Sequence, residues 1–168
     1  SSLMYRKALV LDFLSKDPSV YLSVPHKQND FALFCILSYY GPFYLLPEYT
    51  TAYRIREISL SMGNDAGKRV KYTIAYLHLL AYLHTTFKVD NSVVYTSIRR
   101  NVATILHAMY NERTRNWNIE LKEMSEVVSS TGYTYSYGQR LLKMAIRNKV
   151  IYGITRPLFG FLYNSQSR

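Results

Sequence analysis

Cysteine is nearly absent: Cys35, inside an apolar run, is the only one. A single thiol closes no internal disulfide and builds no cysteine-based zinc site, so a reducing, intracellular setting is expected. Long apolar runs are also missing. Residues 31–47 and 72–87 carry no charge, but the first is broken by Gly41-Pro42 and the second contains Thr73, His78, His84, Thr85 and Thr86. A spanning helix needs ~20 apolar residues, so both stretches are expected to be buried helices and no membrane spanning is expected. Acid is scarce and unevenly placed. Eleven Asp and Glu face 21 Lys and Arg, a formal net charge of +10 and a pI near 9.7. Up to residue 50, Arg6, Lys7, Lys16 and Lys27 cancel against Asp12, Asp17, Asp30 and Glu48, and after Glu126 no acid occurs at all. The tail instead carries Arg140, Lys143, Arg147, Lys149, Arg156 and Arg168. An acid-free basic stretch is the composition of a polyanion-binding surface.

The usual catalytic patterns are missing too. None of His26, His78, His84 and His107 lies four residues from another, as a zinc-protease helix requires. Gly63 to Lys68 superficially resembles a phosphate loop, but only three residues separate Gly63 from Gly67 and Arg69 stands where Ser or Thr should hold magnesium. The residues three after each histidine are Asn29, Ala81, Phe87 and Tyr110, so the His-x-x-Arg of a tyrosine recombinase is not present. The expectation is a non-enzymatic protein with no cofactor and no metal.

What is present is an order of elements. Leu9, Val10, Phe13 and Leu14 predict a helix over 5–15, stopped by Asp17-Pro18, and Val20, Leu22 and Val24 alternate as a short strand. Asp30 caps a helix towards Tyr40, ended by Gly41-Pro42. A short helix over 53–62, a turn at Gly63-Asn64-Asp65 and a longer helix over 66–83 follow. Val89-Asp90-Asn91-Ser92-Val93, within the Thr-, Val- and Tyr-rich segment 85–98, reads as strand, turn, strand. The same order then recurs: a helix over 101–111, a polar loop over 112–118, a short helix over 119–130, a turn at Thr131-Gly132-Tyr133-Thr134, a longer helix over 135–149 and two strands within 151–163 around Arg156-Pro157. Arg56-Glu57-Ile58-Ser59 is echoed by Lys122-Glu123-Met124-Ser125, and the turn glycines Gly63 and Gly132 follow at similar distances. The expected organisation is an N-terminal helix and strand (1–29), a first unit (30–98) and a second unit (99–168).

Glu120 to Ser125, the turn at Gly132 and the helix from Tyr135 resemble the helix-turn-helix core of transcription regulators. The full order of elements resembles the winged-helix superfamily, closely over 100–163 and loosely over 30–98. The loop Gly41 to Thr51 departs from that pattern by its length and its Pro42, Phe43, Tyr44 and Pro47. The resemblance implies a mainly α fold with small β-hairpin wings, in tandem, and double-stranded DNA as the partner. The recognition helices, about 66–83 and 135–149, would each enter a major groove about 12 Å wide. Leu142, Ala145, Ile146 and Val150 would then pack inward, leaving Tyr135, Ser136, Tyr137, Gln139, Arg140 and Lys143 facing out. Gln139 suits adenine, Arg140 suits guanine, and Lys143 suits phosphate. In the first unit Val70, Ile74, Leu77 and Ala81 would pack, presenting Lys68, Arg69, Lys71 and Tyr72. Arg99 and Arg100 would form either a phosphate clamp between the units or a polar linker, and Arg156 would sit at the second wing tip. A transcription regulator or a replication or segregation factor is expected. The alternative is a winged-helix scaffold for protein partners, or a homodimer, contacting through the aromatic 41–51 loop.

Overall fold

Val94, Ile98, Val102, Ile105 and Met109 recur at intervals of three and four residues, and each is at most 2% exposed. That spacing places them on one stripe of a helix and on both faces of a strand, so burial of all five selects the helix. The computed structural model of the protein describes residues 6–16, 29–42, 65–112, 114–148 and 150–155. Its helices are α1 (Lys7–Lys16), α2 (Asn29–Tyr40), α3 (Ala66–Phe87), α4 (Asn91–Asn111), α5 (Asn118–Ser130) and α6 (Tyr137–Arg147), and residues 150–155 are also helical. Among the described residues there is no strand.

The hairpin expected over 85–98 is therefore corrected. Residues 85–87 complete α3, residues 88–90 link, and residues 91–98 open α4. Lys88, at φ 50°, ends α3 in the left-handed conformation. The Asp90 carboxylate accepts the Ser92 backbone N–H at 2.7 Å and also the Ser92 hydroxyl, which starts α4. An aspartate two residues before that amide is an N-cap, and it competes with the turn that a hairpin would need. Residues 151–155, expected to begin a strand, are helical as well. The short strand at 20–24, the helix at 53–62, most of the 41–51 loop and the wing tip from Arg156 onward lie outside the described residues.

α3 and α4 form an antiparallel pair, α5 packs on α3, and α6 packs on α4. One core unites them: Val70, Ile74, Leu77 and Leu80 of α3 meet the α4 stripe, Leu121, Met124 and Val128 of α5, and Leu142 and Ala145 of α6. The expected boundary between residues 98 and 99 falls in the middle of α4. The opposite side of α3 packs elsewhere, with Leu79 and Leu83 against Phe13 of α1, whose ring stacks on Phe87 at 6.5 Å and meets Tyr40 of α2 edge-on at 6.3 Å. α3 is thus central, covered by α1 and α2 on one side and by α4 and α5 on the other.

Arg115 fastens the α4–α5 connection against the start of α3. Asp65 caps α3, accepting from the Gly67 amide at 2.8 Å. Arg115 lies 4.6 Å from the centre of the Trp117 ring and within 3.7 Å of Glu120 and 3.9 Å of Asp65. Its guanidinium occupies the space over Gly67, where a Cβ would come within 1.8 Å of Nη1. The bare backbone of Gly67 therefore admits an arginine of the same chain. Trp117 is buried and donates its indole N–H to the Glu112 carbonyl at 3.0 Å.

Candidate nucleic-acid interface

The start of α6 is set by its own sequence. The Ser136 hydroxyl accepts the Gln139 amide N–H, and the Gln139 side-chain oxygen accepts the Ser136 N–H at 3.0 Å. This reciprocal cap satisfies two amides that a helix start otherwise leaves open. Gln139 goes further: its oxygen also accepts the Tyr133 hydroxyl at 3.0 Å, and its Nε2 donates to the Arg99 carbonyl at 3.0 Å. The expectation that Gln139 faces outward is corrected, since the side chain is 5% exposed and both ends of its amide are engaged. Instead of addressing a base, it ties the first turn of α6 to the middle of α4, beside Arg99 and Arg100.

Lys143 also departs from its expected posture. Its Nζ donates to the Ser125 hydroxyl of α5 at 2.7 Å and lies 4.7 Å from the centre of the Tyr135 ring. Partial burial, with the neighbouring Arg147 charge, holds its pKa below the usual lysine value. Tyr135 is half-buried under that amine, and burial raises its phenol pKa. Its hydroxyl is enclosed on the side of Ser125. Both residues fasten α6 to α5, so neither is presented as a free contact.

The outward face of α6 is made by other side chains. Tyr137 is 82% exposed, and Arg140, Met144 and Arg147 are exposed with it, at intervals of three and four that keep all four on one face. Arg140 donates through Nε to the Tyr135 carbonyl at 3.1 Å, a bond that does not use its two terminal nitrogens. Ser136, although exposed, has its hydroxyl in the cap. Arg147 and Met144 were not among the expected contacts, yet the seven-residue spacing of Arg140 and Arg147 was available to find the first. Inward, Leu142 and Ala145 are buried and Ile146 half-buried as expected, whereas Val150 is 71% exposed.

The remaining candidates lie on α3 and α4. Lys68, Arg69 and Lys71 are exposed in the first turns of α3, and Arg99 and Arg100 are exposed side by side on α4. Tyr72 is half-buried where α3 faces α4. In α3 the expected stripe of Val70, Ile74 and Leu77 is buried, with Ala81 half-buried. Arg156 lies outside the described residues.

Charge is segregated by element. The spans of α3, α4 and α6 contain no acid, while α5 carries Glu120, Glu123 and Glu126. On α5, Lys122 pairs with Glu126 at 3.9 Å, and Glu123 holds His78 of α3 at 3.1 Å. Among the described residues, none of Lys68, Arg69, Lys71, Arg99, Arg100, Arg140 and Arg147 forms an ion pair. No family model, curated protein or solved structure matches this chain. The reading of the site therefore rests on its own geometry. Among the described residues no group of three metal-ligating side chains occurs, and no helix is long and apolar enough to cross a membrane.

Proposed function

We propose that the protein is a non-enzymatic double-stranded DNA-binding protein that docks α6 as its recognition helix. The observation that carries this reading is the outward face of α6: Tyr137, Arg140 and Arg147 on one side of a short helix, with no acid in its span and, among the described residues, no ion pair on either arginine. A capped helix presenting its first turns to solvent, held against a preceding helix through Lys143 and Ser125, suits the helix-turn-helix mode of docking. Arg140 then addresses base edges, for which the guanidinium fork fits guanine, and Tyr137 and Arg147 meet the backbone. Arg99, held beside the start of α6 through its carbonyl, adds a flanking phosphate contact, and Lys68, Arg69 and Lys71 form a second basic turn. Such a protein would serve as a transcription regulator or a replication or segregation factor.

A second reading has an observation of its own. Met144 on α6, Val150 and Ile154 just beyond it, and Ile119 at the start of α5 are 47%, 71%, 65% and 79% exposed, respectively. Joined into one patch, such side chains would suit a protein contact, whether with a second copy or with another protein.

Fluorescence anisotropy on random-sequence duplex DNA across a salt series separates the two. The DNA reading expects tight binding at low salt, a steep salt dependence, and at least about tenfold weaker binding for Arg140→Ala/Arg147→Ala. No binding at low salt, or binding indifferent to that double substitution, overturns it and favours the protein-contact reading.

A further inference from the structure

A groove of about 370 Å3 runs between α3 and α4, lined on one side by Tyr72, Thr73 and Tyr76 and on the other by Ser97, Arg100 and Asn101. Its volume lies at the lower end of the range that small organic ligands occupy, about 300–1,000 Å3. Its chemistry is not that of a gap between packed helices. Arg100 is exposed, forms no ion pair among the described residues, and belongs to a helix pair whose two spans contain no acid. An uncompensated guanidinium in a walled groove selects an anion, and its planar fork fits the oxygens of a phosphate.

The walls ask for more than an anion. Tyr72 and Tyr76 stand one helical turn apart along α3, both half-buried and both in the wall of the groove. Their aromatic surface suits a planar ring. Thr73 spends its hydroxyl proton on the Arg69 carbonyl at 2.8 Å, and Asn101 donates one amide hydrogen to the Ser97 carbonyl at 2.7 Å. That leaves the Asn101 amide oxygen and the Ser97 hydroxyl as the polar groups available to a sugar or a base edge.

We propose that this groove binds a nucleotide: its phosphate on Arg100, its base against Tyr72 and Tyr76, its polar edges on Ser97 and Asn101. The ligand chemistry is the same whether the nucleotide is free or is one unit of a single strand. No residue of α6 takes part, so this site stands or falls separately from the duplex-binding face.

The test is an amide NMR titration of the full chain with adenosine monophosphate, adenosine, inorganic phosphate and a short single-stranded oligothymidylate. Adenosine monophosphate is expected to shift the amides of Thr73, Ser97 and Asn101 and to bind at least fivefold more tightly than either adenosine or phosphate. Arg100→Gln, at an exposed position that leaves the fold intact, should weaken it at least fivefold, and Tyr72→Leu, which keeps the apolar bulk, should do likewise. Tighter binding of the oligonucleotide at the same amides assigns the groove to a strand; tighter binding of the mononucleotide assigns it to a free ligand. Either supports the site. Phosphate binding as well as the nucleotide, shifts located elsewhere, or indifference to Arg100→Gln overturns it.

Discussion

Gln139 is the residue on which the placement of α6 turns. Truncation to alanine leaves the Arg99 carbonyl, the Tyr133 hydroxyl and the Ser136 amide without their partner, the first of them on α4. Unsatisfied buried groups cost about 1–3 kcal/mol each before water or relaxation restores some. Gln139→Ala should therefore lower the stability read by urea unfolding by roughly 2–3 kcal/mol. Gln139→Glu should also be destabilising, because it keeps the acceptor but loses the donor to Arg99 and buries a charge. A value near zero for both would mean that the connection to α4 carries no weight. His107 of α4 gives the chain a pH dependence at the same scale. Burial lowers its pKa in the fold, so the unfolded chain binds the proton more readily. Stability should be full above the unfolded value of about 6.5 and fall as pH drops through the lowered folded value. His107→Gln should flatten that part of the melting-temperature profile between pH 7 and pH 5. The Gln139 arrangement was visible in the sequence as Ser136-x-x-Gln139, the spacing of a capping box. As one polar position on an outward face it suits adenine instead, since a helical wheel by itself does not tell a buried, saturated amide from an exposed one.

At the scale of elements, helix existence was legible, whereas the hairpin expected over 85–98 is helix and linker instead. The apolar stripes of the helices at 66–83 and 119–130 located α3 and α5 to within a few residues, because each has one face in the core. The segment 85–98 misled because its Thr, Val and Tyr content favours strands. The tertiary pattern overrode that preference: Val94 and Ile98 continue the buried stripe of Val102, Ile105 and Met109. The Asp90 cap is the local switch between the two outcomes. Asp90→Ala should lower the melting temperature and expose the first turn of α4 to faster amide exchange, whereas Asp90→Asn, which retains a capping oxygen, should stay close to the parent. Equal effects of the two would assign the start of α4 to packing alone. Ser136→Ala tests the cap of α6 in the same way, with an expected cost of about 1 kcal/mol in urea unfolding. Because this cap aims the proposed recognition face, loss of helicity at Tyr137 and Arg140 should accompany weaker duplex binding.

For the molecule as a whole, the decisive property is where the +10 lies. Composition gave the surplus and its position along the chain, but not that α3, α4 and α6 would be acid-free helices while α5 collects Glu120, Glu123 and Glu126. That segregation makes a prediction that net charge alone does not. If binding were diffuse attraction, removing any lysine or arginine would weaken it alike. If α6 faces the duplex, position decides. Each phosphate contact contributes about 0.9 to the slope of log affinity against log salt on B-form DNA. Arg147→Ala should therefore flatten that slope by about 0.9. Arg140→Ala should instead act mainly on the preference among sequences, because a guanidinium on a base edge discriminates by about 1–3 kcal/mol. Lys122→Ala removes the same unit of charge from α5, where Glu126 lies 3.9 Å away, and should change neither slope nor preference. Equal slopes for Lys122→Ala and Arg147→Ala would dissolve the distinction between the two faces and leave only the surplus charge as the source of binding.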